Sequence, residues 1–331
     1  MGQLTRREFL RTGAWLMIGA AGGASLLREV LTELDQGEAP AAVAAALVPT
    51  PGPPATGQPI APAPAPPAGF PAIPDPGADG EPPAIQMARW PAPTPGLTPP
   101  TDRTLRVPIL MYHRIVDPAQ AGDSLPGLVV PPTLFAAQMR ALHAAGWRTI
   151  TAAELASSLQ HGTAVAPGTF VVTIDDGWRD GYTEALPVLQ SCGYRATYFV
   201  IGKRIGARRS LGGDELQALA AAGMEIGDHT FDHHALPSLA AVMRRFEITA
   251  GADRIAQAVG QPPVTFCYPD GRYSPDVEVQ VAQAGFGLAV TTKPGTGASW
   301  STRYAIPRLR VTPGTTPAAL LARMQLAQLV G

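Results

Sequence analysis

The sequence predicts a parallel α/β fold, and three observations carry that prediction. Short apolar, β-branched runs alternate with helical patterns from about residue 105 onward, and the connections are long enough for parallel pairing. Phe170-Val171-Val172-Thr173-Ile174 is apolar without alternation, as expected of a strand buried on both faces. Chemically capable residues recur where the predicted strands end, the edge at which parallel α/β folds build their sites. A closed barrel and an open doubly wound sheet both fit. No Gly-rich phosphate loop follows the first strand, which disfavours a dinucleotide-binding sheet.

The elements follow in order. Val107–Tyr112 reads as a strand ending at His113. Phe135, Met139 and Leu142 have helical spacing, and Gly146 stops that helix. Trp147–Ile150 is a short strand, and Thr151-Ala152-Ala153-Glu154 is a capping box that opens the next helix. The strand Phe170–Ile174 runs into Asp175-Asp176-Gly177. A helix broken near Pro187, the strand Ala196–Ile201 and a helix over Asp214–Ala222 come next. Met224–Asp228 is a strand ending at His229, and a long helix follows Ser238. Val264–Tyr268 is a strand, and Ser274-Pro275 starts a helix as cap and first-turn proline. Phe286–Thr291 and Ile306–Val311 read as strands, and Thr316-Pro317 opens the last helix.

Composition divides the chain before this domain begins. Of 331 residues 36 are Pro, and more than half of these precede residue 102, too many for one compact domain. Residues 1–30 carry Thr5-Arg6-Arg7-Glu8-Phe9-Leu10-Arg11 and then an apolar run from Ala14 to Leu27. Paired arginines ahead of a modest Gly/Ala-rich core resemble a twin-arginine export signal. The run is short of the roughly 20 residues of a membrane span. Small-x-small cleavage candidates lie only around Ala39–Ala46, so an uncleaved N-terminal anchor is the alternative, with a possible membrane tether. Either way the body of the protein is expected outside the cytoplasm, extracellular or at the cell surface. Residues 31–101 are a Pro/Ala-rich linker, clearest at Ala61-Pro62-Ala63-Pro64-Ala65-Pro66-Pro67, and are expected to form a disordered, extended spacer. Residues 102–331 are long enough for a sizeable core.

The formal net charge is −1, with no long Lys/Arg run, which excludes nucleic acid as a partner. Cys192 and Cys267 make neither a disulfide framework nor a zinc-ribbon spacing, and are expected as buried free thiols.

Asp175 and Asp176 are the sharpest chemical signal. A buried strand does not end in two acids by default, because unpaired buried charge is costly and neighbouring carboxylates repel unless a cation or proton sits between them. One would bind a metal and the other act as a base; the bland alternative is an Asp-Gly turn. His229-Thr230-Phe231-Asp232-His233 offers two imidazoles four residues apart, which would face the same way on a helical turn. Two histidines and a carboxylate suit Zn²⁺ first, and also Co²⁺, Ni²⁺ or Fe²⁺.

Thr173-Ile174-Asp175-Asp176-Gly177, His229-Thr230-Phe231-Asp232-His233 and Phe266-Cys267-Tyr268-Pro269-Asp270-Gly271 together resemble the three motifs of the polysaccharide deacetylases, the NodB-homology or carbohydrate esterase family 4 proteins. The resemblance covers about residues 105–312. It implies a distorted (β/α) barrel of the seven-stranded NodB type and metal-dependent hydrolysis of N-acetyl groups on an N-acetylglucosamine-containing glycan. Carried over, it implies Asp176, His229 and His233 as metal ligands, with His234 as the alternative second imidazole. It implies Asp175 as general base, and Tyr268 and Asp270 at the oxyanion or substrate position. The family's common C-terminal histidine, third-motif arginine and Asp-x-x-Asp-Trp motif are missing. Met111-Tyr112-His113-Arg114 resembles instead the N-terminal motif of the poly-N-acetylglucosamine deacetylase branch, which implies His113 as general acid. Arg308 is the candidate to hold and orient Asp175. Two other readings remain: a metal-dependent amidase or esterase on a small acyl substrate, and a non-catalytic glycan-binding surface protein.

Overall fold

The computed structural model of the chain describes residues 102–329. The expected export signal over 1–30 and linker over 31–101 lie outside the described residues. The domain starts with β1 (Leu105–Arg106), the fully buried β2 (Ile109–Tyr112), and a small pair, β3 (Arg114–Ile115) and β4 (Val129–Val130). α1 (Pro132–Ala144) buries Phe135, Met139 and Leu142. After β5 (Arg148–Thr149), α2 (Ala152–His161) opens with the expected capping box. Thr151 Oγ1 accepts from the Glu154 N–H, and the Glu154 carboxylate accepts from the Thr151 N–H.

β6 (Thr169–Ile174) is buried at every residue. The predicted break at Pro187 is a junction, where a π-helical turn over Gly181–Ala185 passes into α3 (Leu186–Ser191) with the proline in its first turn. There follow β7 (Thr197–Val200), α4 (Gly213–Ala221), β8 (Glu225–Asp228), α5 (Ala241–Val259) and β9 (Thr265–Cys267). The chain ends with α6 (Pro275–Gln283), β10 (Leu288–Pro294), β11 (Gly297–Ala298), β12 (Ile306–Arg310) and α7 (Pro317–Leu329). Ser274 stands at the cap position of α6 but its side chain makes no capping bond, so Pro275 alone marks that start. Thr316 does cap α7, its Oγ1 accepting from the Ala319 N–H at 3.1 Å.

The sheet closes. β2, β12, β10, β9, β8, β7 and β6 are neighbours in that order, and β6 returns to β2 with Ile109 opposite Val171 and Tyr112 opposite Ile174. Every pairing around the ring is parallel. The structure is therefore a closed seven-stranded parallel barrel ringed by helices, and not an open sheet. Its register slips between Val290 and Pro294, where β10 runs against β12, which distorts that side. β5 stands outside the ring, against the start of β6.

Side chains alternate across the barrel wall. Leu110, Tyr112, Phe170, Val172 and Ile174 pack outward with the helices in one apolar cluster. Ile109, Val171, Phe199, Cys267, Val290 and Ile306 form the other, which Leu155 and Leu159 of α2 join from the N-terminal mouth. Glu225 fastens that mouth: its carboxylate accepts from the Thr197 and Thr265 hydroxyls and from the Ala153 N–H at the start of α2.

Phe199 needs a gap opposite it. A Cβ at Gly227 would lie 2.6 Å from the Phe199 ring and 2.8 Å from Thr265 Oγ1. Gly227→Ala is expected to cost about 1–3 kcal/mol by overpacking, read as a lowered thermal midpoint. Adding Phe199→Leu should recover part of that loss; no recovery would mean that the glycine serves some purpose other than making room for the ring.

Candidate active site

Along β6 the inward column Val171, Thr173, Asp175 passes from apolar to charged as it nears the C-terminal mouth. Asp175 is only 1% exposed, and Arg308 of β12 meets it inside the barrel at 0% exposure. Arg308 Nη1 donates to Asp175 Oδ1 at 2.8 Å and Nη2 to Oδ2 at 2.7 Å, a two-pronged pair. Nη1 also donates to Thr173 Oγ1 and Nε to the Thr291 carbonyl, both at 2.8 Å, while Cys267 Sγ lies 3.2 Å from Nη2. Burial raises the Asp175 carboxyl, but Arg308, with His113 and His229 beside it, holds the group below the usual carboxylate range. His113, at the end of β2, brings Nε2 to 3.7 Å from Asp175 Oδ2. Burial pushes this imidazole down from its ordinary value against the pull of Asp175 and Asp176, which leaves it neutral at pH 7.

After Asp175 the backbone turns left-handed, with φ 74° at Asp176 and 69° at Gly177. The turn separates the two carboxylates: Asp175 stays in the barrel and Asp176 faces the His229–His233 loop. His229 Nε2 lies 3.5 Å and His233 Nε2 3.7 Å from Asp176 Oδ1. The two imidazoles meet edge to face, 4.8 Å between ring centres. The expected helical turn does not form here. Thr230 at φ 66° and His233 at φ 63° fold the loop instead, and Thr230 Oγ1 accepts from the His233 N–H at 3.0 Å. His234, the alternative imidazole, turns away to Glu247 Oε1 at 3.0 Å.

The donor set fits a metal. One ligand atom from each of Asp176, His229 and His233 lies within 4.8 Å of the others. Bonds of ~2.0–2.1 Å at tetrahedral angles call for donor separations of about 3.3 Å, close to the carboxylate–imidazole distances here. His229 Nδ1 donates to the Cys267 carbonyl at 2.7 Å, which leaves Nε2 as the ring nitrogen that faces Asp176 and would meet a metal. Trp178 Nε1 donates to Asp176 Oδ2 at 3.2 Å, which leaves Oδ1 toward the imidazoles. Burial raises Asp176, but the bond to His229 and the potential of His113, His229 and His233 bring it below the carboxylate range. Burial first, and then His229, push His233 down to about 4, so its ring is a neutral donor at pH 7.

The structure brings His113, Asp175, Asp176, His229, His233 and Arg308 together at one mouth of the barrel. Asp270 joins them at the rim, exposed, in a left-handed turn with φ 55°. Tyr268 does not. Its side chain is fully buried and stacked on Tyr273, and its hydroxyl donates to the Tyr304 carbonyl at 2.9 Å, so the expected substrate contact is corrected to a core position. Cys192 and Cys267 are buried free thiols, as expected. Sequence reasoning missed Trp178 and Glu247. Glu247 is 3% exposed on α5 and holds the histidine loop twice, its carboxylate accepting from the Asp232 N–H and its backbone carbonyl from the Phe231 N–H. Its signal was a glutamate at helical spacing from the small residues Ala250 and Gly251.

Residues 163–289 match the family profile described as polysaccharide deacetylase. YxkH of Bacillus subtilis (strain 168), which carries the same family description, is 33% identical over 225 residues, 68% of this chain and 78% of that protein. A chitin deacetylase of Pestalotiopsis sp is 31% identical over 114 residues, 33% of this chain and 38% of that protein. Among solved structures, Streptococcus pyogenes deacetylase PplD in complex with acetate superposes with TM-score 0.62 at 27% identity, over 68% of this chain and 99% of that one. IcaB from Ammonifex degensii superposes with TM-score 0.58 at 23% identity, over 66% and 97%, a likeness of fold.

Removing one partner of a buried ion pair strands the other. Arg308→Met is expected to lower stability by about 3–5 kcal/mol at pH 7, and Asp175→Asn in the same chain should restore part of it. The sign with pH follows from the pair. In the wild type Asp175 is held low, so its contribution is complete above about pH 4 and is lost as pH falls through the lowered value. Without Arg308, burial raises the carboxyl, so the variant loses stability as pH rises through that value. Urea midpoints should therefore differ more at pH 7 than at pH 5. A gap that is small, or the same at both, would show that Asp175 does not depend on the guanidinium.

Proposed function

The chain belongs to the polysaccharide deacetylase family, and we propose that it hydrolyses N-acetyl groups of an N-acetylglucosamine-containing glycan with a divalent metal held by Asp176, His229 and His233. The observation that carries this reading is the pairing of a buried, guanidinium-held carboxylate, Asp175, with a neutral imidazole, His113, beside a three-donor metal set.

A bound Zn²⁺, or Co²⁺, Ni²⁺ or Fe²⁺ in its place, supplies Lewis acidity and lowers the pKa of water. Asp175 acts as the base. Arg308 fixes both of its oxygens in the barrel, so the proton of the attacking water is taken at a defined position. Asp175 hands that proton to His113, whose Nε2 lies 3.7 Å from Asp175 Oδ2, and the imidazolium so formed gives it to the amine as it leaves, which returns both groups to their starting states. The Asp270 peptide, in its left-handed turn beside His233, is the candidate second donor to the oxyanion. Acetate bound to the related deacetylase PplD agrees with this reading, since acetate is the product it predicts.

The test is acetate release by the full chain from N-acetylglucosamine oligomers. Release should need added Zn²⁺ or Co²⁺ and stop with a chelator. Asp175→Asn and His113→Ala should each lower the rate by roughly 10²–10⁴-fold, with metal still bound in both, while His233→Ala should lose metal affinity. Hydrolysis confined to small acylated molecules would replace this reading with the amidase or esterase. Glycan binding untouched by Asp175→Asn, with no release, would replace it with the surface-binding protein.

The N-terminal segment extends the proposal to location: export by a twin-arginine-type signal, with the Pro/Ala-rich stretch spacing the domain from the cell surface. Among the described residues no helix is long and apolar enough to cross a membrane. Arg6→Lys with Arg7→Lys should hold the protein in the cytoplasm, as judged by cell fractionation; unchanged export would remove this part of the proposal.

A further inference from the structure

The connection from β7 to α4 carries Lys203, Arg204, Arg208 and Arg209 in seven residues, and it is mounted on the two segments that bear the metal-ligand candidates. Gly202 and Lys203 N–H groups donate to the Thr230 and Phe231 carbonyls of the histidine loop, at 3.0 and 2.8 Å. At its other end the Leu211 N–H donates to the Gly177 carbonyl and the Arg179 N–H to the Arg209 carbonyl, both at 2.9 Å. Trp178 and Ser210 form a β-bridge between them.

Five non-glycine residues among those described have positive φ: Asp176, Thr230, His233, Asp270 and Arg209. The first four shape the catalytic mouth. Arg209, at φ 66°, bears the same strain, which persists where the surroundings over-determine it. The charges of this loop are unevenly matched. Lys203 pairs with Asp232, and neighbouring Arg179 pairs with Glu215. Among the described residues no carboxylate stands within ion-pair distance of Arg204, Arg208 or Arg209. Arg204 lies over the Trp178 ring at 5.6 Å, and Trp178 bonds Asp176. A Cβ on Gly122, in the loop that follows His113, would lie 2.9 Å from the Arg209 guanidinium. Three guanidinium groups without a carboxylate partner thus lie on a loop whose two ends are bonded to the segments that bear the metal-ligand candidates.

We propose that Arg204, Arg208 and Arg209 form a subsite for an anionic substituent, carboxylate or phosphate, on a sugar next to the one that is deacetylated. This rests on the deacetylase reading above and names its substrate class. Arg204 reaches the Trp178 ring, whose Nε1 bonds Asp176, so the subsite borders the metal-ligand candidates. Arginine suits the role because its planar fork grips either anion with two parallel bonds. A neutral homopolymer would leave these charges facing one another without an anion between them.

The experiment compares kcat/KM of the full chain, supplied with Zn²⁺, on three probes. They are the neutral N-acetylglucosamine tetramer, the alternating N-acetylglucosamine–N-acetylmuramic acid tetramer, and an N-acetylglucosamine oligomer bearing a phosphate. At least one anionic probe should exceed the neutral one by about tenfold or more, and which of them does so identifies the anion. That ratio should shrink as NaCl rises from about 50 to 500 mM. It should fall to within about twofold in Arg208→Gln/Arg209→Gln and survive in the double lysine variant at low salt. A ratio near one with the neutral tetramer turned over overturns this inference and spares the deacetylase. A tenfold ratio that ignores the glutamine variant also overturns it. No acetate from any probe overturns the reading on which it rests, and the subsite with it.

Discussion

The Arg308–Asp175 pair is the interaction on which the site depends, and it can exist only in a closed barrel. Asp175 ends β6 and Arg308 lies on β12; β2 stands between them, paired with both. Were β2 and β6 apart, the two charges would sit at opposite ends of an open sheet. Closure places them face to face above an apolar layer of Val171, Phe199 and Ile306 that keeps water out from below. In that medium an uncompensated charge is costly, so both prongs of the guanidinium and its bonds to Thr173 and Thr291 are needed to make the pair tolerable. The cost is offset by a carboxylate held ionised, in one orientation, at the floor of a cleft.

Around that rigid floor the rim is built from strained backbone. Asp176, Thr230, His233 and Asp270 all occupy the left-handed region, where non-glycine residues are uncommon. Each is held by bonds from outside its own turn or within a tightly tied loop. Trp178 fixes the Asp176 carboxylate, Thr230 and Glu247 fix the histidine loop, and Thr292 donates to the Asp270 carbonyl at 3.1 Å. Gly251 of α5 lets this happen, because a Cβ there would run into Asp228 and the Thr230 peptide. The helix can then approach the loop closely enough for Glu247 to reach it. Neither strained residues nor their supports would persist separately: the strain aims the donors, and the second layer of bonds keeps it from relaxing.

Much of this was legible in the sequence wherever the cause was local. The capping box at Thr151, the buried run of β6 and the stop at Gly146 follow from neighbouring residues alone. Asp175-Asp176 announced chemistry because two adjacent acids at the end of a buried strand have few bland explanations. Whether the sheet closes was not legible in local patterns, because closure is the pairing of β2 with β6, far apart in the chain; the seven-stranded barrel came only through the family resemblance, and the structure bears it out. The histidine spacing was read as helical, yet the same four-residue interval is spanned by two left-handed residues, which no period reveals. Tyr268 was misplaced because it shares a motif with Asp270. It follows the inward Cys267 by one residue, which changes the face, and the phenol points into the outer core. Trp178 and Glu247 act on groups brought near by the fold, so their sequence neighbours say little about their partners. Thr173 could have been found, since it lies two residues before Asp175 on the same face of β6.

The matched family span, residues 163–289, contains Asp175, Asp176, His229 and His233 but neither His113 nor Arg308. Those two enter from β2 and β12, the strands that complete the ring on either side of β6 and β10. The barrel therefore separates two tasks by their place in the chain. The central strands supply the candidate metal donors on loops, where strained backbone can set their angles. The flanking strands supply His113 and Arg308, the two side chains that face Asp175, and these are set by the strand register instead. A register slip of one residue in β12 would turn Arg308 outward to the helices and leave Asp175 alone in the barrel. Because a lone buried carboxylate is so costly, the pair acts as a check on closure: the register that forms the barrel is also the one that completes the site.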